Sequence, residues 1–199
     1  MFKKVLKNIL IIIAFWVSTA FASSANLYYS DGPWKGKVID VETKEPIEGA
    51  VVVAIWEKVY VSPTGDHSYF YDAVEVLTDK DGNFFIPQFK AFNILPIISH
   101  IRGPNFEIFK PEYTAFPGSG LEYFQIYFPK SPLRVNRRTL EALFKEGVTV
   151  ELLRLKTKEE LLRNTPGLPT DVGSNKLPIY DKLINKERRD LGLEPMIIR

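Results

Sequence analysis

The sequence predicts a mainly β fold: a sandwich of short strands followed by a short α-helical C-terminal extension. Three observations predict it. AVVVAIWEKVYV, residues 50–61, gathers β-branched and aromatic side chains into one run. LEYFQIYFP, residues 121–129, sets Phe124, Ile126 and Phe128 against Tyr123, Gln125 and Tyr127 with the two-residue period of a strand. Turn residues separate such runs as far as Leu155, and helical spacing takes over after it. With 199 residues the chain can bury one sizeable core plus an appendage, and 13% aromatic content argues against disorder.

Residues 1–22 read as a Sec-type signal peptide. Lys3, Lys4 and Lys7 form the positive n-region, 9–17 is the apolar run, and Ala20, Phe21 and Ala22 make the A-x-A site, so cleavage is expected after Ala22. The apolar run is short for a membrane span. The chain has no cysteine, which excludes a lipid-anchored N-terminus and any disulfide. The expected location is therefore periplasmic or secreted, with membrane contact only through an uncleaved leader. The formal net charge is +2, and losing the three leader lysines turns it slightly negative. That balance gives no reason to expect a nucleic-acid partner.

Residues 23–33 are small and polar and end in DGP, a linker. KGKVIDV alternates as a strand from Trp34 onward, and ETKEPIEG is a turn. After the 50–61 strand, SPTGDHS is a loop and YFYDAVEVLTD, 69–79, the next strand, with Phe70 facing away from Tyr69 and Tyr71. TDKDGNFFIP has the acidic density of a calcium loop but not its frame. Counted from Asp79, Gly82 falls at position 4 rather than 6, and position 12 is Lys90 rather than glutamate. Asp81 and Gly82 are instead a turn between two strands. ILPIISHIR and NFEIFK read as two strands broken at Arg102, Gly103 and Pro104. RRTLEALFKEG reads as a short helix ended by Gly147, and VTVELLRL as a closing strand. In the tail, TKEELLRN is helical with Thr157 as N-cap, and TPGLPTDVGSNKLP is an extended linker. A second helix follows with Tyr180, Ile184 and Leu191 on one face and Asp181, Lys182, Lys186, Arg188 and Arg189 toward water.

Three blocks, GKVID at 36–40, PIEGAVV at 46–52 and TDKDGNF at 78–84, resemble the carboxypeptidase regulatory-like domain family. The resemblance implies a transthyretin-like (prealbumin-like) Greek-key β-sandwich of about seven strands over residues 34–155. Residues 156–199 would form the helical extension. The Pro-x-x-Gly-Ala turn would deliver a core strand and Phe84 would fill the core. Where the family has Pro-Gly-Tyr, this chain has Pro111, Glu112 and Tyr113. Such domains are non-catalytic modules, so the resemblance implies architecture more than activity.

Catalytic signatures are missing. A zinc carboxypeptidase site needs His-x-x-Glu, but Phe70 stands three residues after His67 and Gly103 three after His100. The H-x-H spacing of intradiol dioxygenases, the Tyr-Arg-Gly-Ser end of hydroxyisourate hydrolases and the G-x-S-x-G elbow are all missing. His67 is expected in solvent and His100 at the core edge with one hydrogen-bond partner. Lys37 is read as an exposed strand lysine rather than an isopeptide donor. No catalytic residue, metal ligand or cofactor is expected. The expected function is a non-enzymatic module for protein interaction or scaffolding with an envelope protein, the tail either serving as an arm or capping the sheet. The alternative is glycan or small-ligand binding on the face of Tyr123, Gln125 and Tyr127, with Tyr69 and Tyr71 as neighbours.

Overall fold

The computed structural model describes residues 27–117, 137–167 and 176–196. Among them are eight strands: β1 Tyr28–Asp31, β2 Trp34–Asp40, β3 Val51–Tyr60, β4 His67–Leu77, β5 Asn83–Ile86, β6 Phe89–Phe92, β7 Ser99–Phe109 and β8 Val148–Leu152. Three helices are described: α1 Arg137–Glu146, α2 Lys158–Asn164 and α3 Pro178–Asp190. The protein is thus mainly β, with α2 and α3 forming a helical C-terminal extension.

The strands form two three-stranded sheets, β5-β2-β8 and β4-β3-β7, and a two-stranded ribbon, β1-β6. All pairs are antiparallel except β2–β8, which runs parallel from Gly36 opposite Val148 to Asp40 opposite Leu152. One apolar core lies between the two larger sheets. Trp34, Val38, Phe84, Ile86, Val150 and Leu152 meet Val52, Ala54, Trp56, Phe106 and Ile108 there. Phe144 of α1 closes the core by stacking on Phe106 at 4.0 Å.

The central strand β3 explains its own composition. Val52, Ala54 and Trp56 face the core between the sheets, while Val51, Val53 and Ile55 face a second cluster under α3. Both faces are covered, so the strand reads as a continuous apolar run. The tail question is settled for α3, which packs on the sheet rather than standing free. Leu177, Tyr180 and Ile184 fill the second cluster with Phe109. Lys182, Lys186 and Arg189 are exposed as expected, with Asp181 and Arg188 partly so, but Glu187 is buried.

Local chemistry sets the turns. Asp79 Oδ1 accepts the backbone N–H groups of Asp81 and Asn83 at 2.9 and 2.8 Å. Those bonds hold the carboxyl below the usual carboxylate range, the Asn83 N–H contributing most. Gly82 has φ +75°, its carbonyl accepts from Val38 N, and a Cβ there would lie 2.4 Å from Val38 O. The Asp-Gly sequence is a turn built into the sheet, in agreement with its sequence reading.

Three expectations are corrected. The 23–33 stretch is not all linker, because 28–31 is β1 and pairs with β6, a strand the sequence reading passed over. ILPIISHIR and NFEIFK do not form two strands. One strand, β7, continues through Gly103 and Pro104, pairing with β3 on both sides of a bulge. A Cβ at Gly103 would lie 2.6 Å from Trp56 Cδ1, so the bulge needs glycine for the ring to approach. Residues 94–98 precede β7 as a loop.

Candidate functional site

The described surface has one concentrated apolar feature, at the end of β3 opposite the Asp79 turn. The β6–β7 loop exposes Ile94 (81%), Ile97 (70%), Leu95 and Ile98, and Phe92 before it is 67% exposed. Leu27 and Val61 join them, both exposed. Backbone bonds fix this grouping: Asn93 N donates to Leu27 O at 2.8 Å and Val61 N to Ile98 O at 3.0 Å. The ring of Tyr28 meets the edge of Phe92 with centroids 5.9 Å apart.

The loop is built rather than slack. Ser99 N and Ile98 N both donate to Leu95 O, at 2.9 and 3.2 Å. Asn93 Nδ2 donates to Ser99 O at 2.6 Å. Ser99 Oγ lies 2.9 Å from Asn93 Oδ1 and 2.7 Å from Leu95 O, its single proton serving one of them. Asn93 and Ser99 are buried beneath the loop they organise. Two small polar side chains inside therefore hold four aliphatic ones outside, against the usual direction of apolar burial.

The rim is aromatic and polar. Tyr60 and Tyr69 pair edge-to-face at 5.8 Å, and Lys58 Nζ sits 5.5 Å from the Tyr60 ring centroid. Arg102 is held by Glu57 at 2.8 Å and by Ser68 at 2.9 Å. His67 and His100 lie opposite Tyr60 and Val59 of β3. Both are exposed, as expected for His67. For His100 the core-edge expectation is overturned, because β7 alternates there and turns Ser99 and Ile101 inward instead.

A second feature is a cleft of about 340 Å³ between β7 and the extension, lined by Glu107, Phe116, Arg163, Thr165 and Tyr180 among others. Tyr180 Oη donates to Glu107 Oε2 at 2.9 Å. Burial pushes the Glu107 carboxyl up, and the bond from Tyr180 offsets this in part. Burial, with the Glu107 charge next, pushes the Tyr180 hydroxyl up as well. Neighbouring Glu187 is also raised by burial, although it accepts from Glu112 N at 2.8 Å and Thr165 Oγ1 at 3.3 Å. These polar groups bond to one another and fix α3 and the α2 end against β7. No histidine lines the cleft.

Tyr123, Gln125 and Tyr127, the residues singled out for ligand binding, lie outside the described residues, as does the leader. Tyr69 is exposed, whereas Tyr71 is the unmatched residue of the β4 bulge and turns its ring toward Phe89. Among the described residues no group of His, Asp or Glu is placed to hold a metal ion, and no helix is long and apolar enough to cross a membrane. The apolar loop was not recognised from the sequence. Its signal was Pro96 inside ILPII, a run with neither strand alternation nor helical spacing. No family model, curated protein or solved structure matches the chain.

Proposed function

We propose that the protein is an exported, non-catalytic interaction module of the cell envelope, a transthyretin-like β-sandwich that docks through its apolar tip and serves as a scaffold there. The exposed β6–β7 loop carries this reading, because a buried polar frame is spent on holding apolar side chains in water. Two observations favour the transthyretin-like assignment. Two three-stranded sheets share one core. Glu112 adopts φ +71° at the position where the resembling family carries the glycine of its Pro-Gly-Tyr. Export is supported by the composition of residues 1–22.

The test is photo-crosslinking in intact cells, with a benzophenone side chain at Ile94 in one version and at Asp81, at the far end of β3, in another. Adducts to envelope protein or lipid from Ile94 and not from Asp81 are expected. Equal labelling from both positions, or none from Ile94, would overturn the reading. Glycan binding on an aromatic face is the second reading, favoured by the exposed Tyr69, whose ring pairs with the half-buried Tyr60. It predicts retention on a glycan array that Tyr69→Ala abolishes.

A further inference from the structure

We propose that the counterpart of the tip is a lipid bilayer. In this arrangement Ile94, Leu95, Ile97 and Ile98 enter the apolar layer of a membrane, and Tyr28, Tyr60 and Tyr69 lie at headgroup level. The inference rests on the docking role of the tip and names what it docks to.

Four observations point to lipid rather than to a folded partner. First, the chemistry is graded as a membrane interface is graded. The outermost side chains are aliphatic, tyrosines and histidines surround them, and residues 91–101 contain no Asp, Glu, Lys or Arg. Protein hot spots are instead rich in Trp, Tyr and Arg and poor in Leu and Val. Second, Ile94 and Ile97 are 81% and 70% exposed, so they protrude with few neighbours of their own. A fluid phase solvates such projections without shape complementarity, whereas a protein needs a matching pocket for each. Third, the loop brings its own hydrogen bonds. The carbonyls of Leu95, Ile98 and Ser99 accept from Ser99 N, Val61 N and Asn93 Nδ2, and Pro96 has no N–H to satisfy. These bonds hold the loop in shape at headgroup depth, so that only its aliphatic side chains reach the apolar layer. Fourth, residues 1–26 join the described chain at Leu27, inside the tip, so until the leader is cut the tip begins ten residues after the apolar run at 9–17.

Because the chain has no cysteine, a single label can be placed at will. The chain from Ser23 onward, the form that the expected cleavage leaves, carries Ile97→Cys in one version and Asp81→Cys in another, each bearing an environment-sensitive fluorophore. Each is reconstituted with vesicles of phosphatidylethanolamine and a minority of phosphatidylglycerol. The Ile97 label is expected to shift to the blue and to be quenched by spin-labelled acyl chains, and the Asp81 label to stay in water. With the label moved to Ile98, an Ile94→Ser/Ile97→Ser background should lose most of the acyl-chain quenching, since each aliphatic side chain removed weakens partition into the bilayer by about tenfold or more. The leader is absent from every version, so it cannot hold the tip at the bilayer. An Ile97 label that remains in water with vesicles present overturns the proposal. A blue shift without lipid quenching that grows with protein concentration also overturns it, in favour of a second copy as the occupant. A cellular crosslink from Ile94 to protein alone leaves the interaction module standing while removing lipid as its counterpart. No crosslink of either kind removes both.

Discussion

Asp79 and Gly82 divide one turn between them. The aspartate supplies the acceptor for two backbone N–H groups, and the glycine supplies the positive φ and the space beneath Val38 O. Gly82→Ala combines a left-handed residue with a backbone clash, so it should cost at least about 2 kcal/mol. A lower urea midpoint with an unchanged slope would register it. Thr78 is as constrained. Buried, its hydroxyl donates to Ile47 O at 2.7 Å and accepts from Ala50 N at 2.8 Å. Thr78→Val keeps the shape but strands both partners, and about 2–4 kcal/mol of stability should be lost in the same urea measurement. The turn was legible in the sequence because its determinants lie within five residues of one another. The double role of Thr78 was not, since its partners lie about thirty residues upstream and only the fold brings them in.

Elements were legible in proportion to how locally they are specified. Helix α2 carries its own signal: Thr157 and Glu160 form a reciprocal capping box, the Thr157 hydroxyl accepting from Glu160 N and the Glu160 carboxylate from Thr157 N. Helix α3 has no such cap at Leu177. Its first N–H groups, those of Ile179 and Tyr180, donate at 2.7 and 2.9 Å to Glu75 of β4. No window of sequence could pair residues so far apart. Strands β1 and β6 were missed for a related reason. Among the described residues they pair only with each other and neither has a fully buried position, so no apolar alternation marks them. Glu75→Ala should loosen α3 by about 1 kcal/mol. Faster hydrogen exchange across Pro178–Asp190 than across β3 would show it. The contact between α3 and β7 also makes a pH prediction. Burial raises the Glu107 carboxyl, so its contribution to stability is complete below the unfolded value near pH 4 and declines as pH rises through the raised folded value. Glu107→Gln should remove that decline. Urea midpoints at pH 5 and pH 8 should differ less in the variant than in the parent, and an unchanged difference would exclude the role.

On the scale of the whole molecule, the prospect that the tail is a detachable arm gives way to α3 as one wall of the protein. Val51, Val53, Ile55 and Phe109 are buried at 0–7% exposure because Leu177, Tyr180 and Ile184 cover them. A chain stopped at Leu155 should therefore lose monodispersity, with light scattering reporting aggregates where the full chain gives none. The mainly β class could be read from composition and turn spacing. The sidedness of the molecule could not. That β3 is covered on both faces, and that among the described residues nothing covers the outer side of the 94–98 loop, are both properties of neighbours contributed by other parts of the chain.

The position of α3 also orders events in time. The outer face of β3 is closed by residues of α3 that follow it by more than a hundred positions. Until they emerge, the central strand presents an uncovered aliphatic stripe. Synthesis must pass α3 before the sheet is safe from its neighbours. A protein arranged in this way is suited to being kept unfolded until α3 has been made, and any cut that frees α3 returns it to the exposed state of the shorter chain.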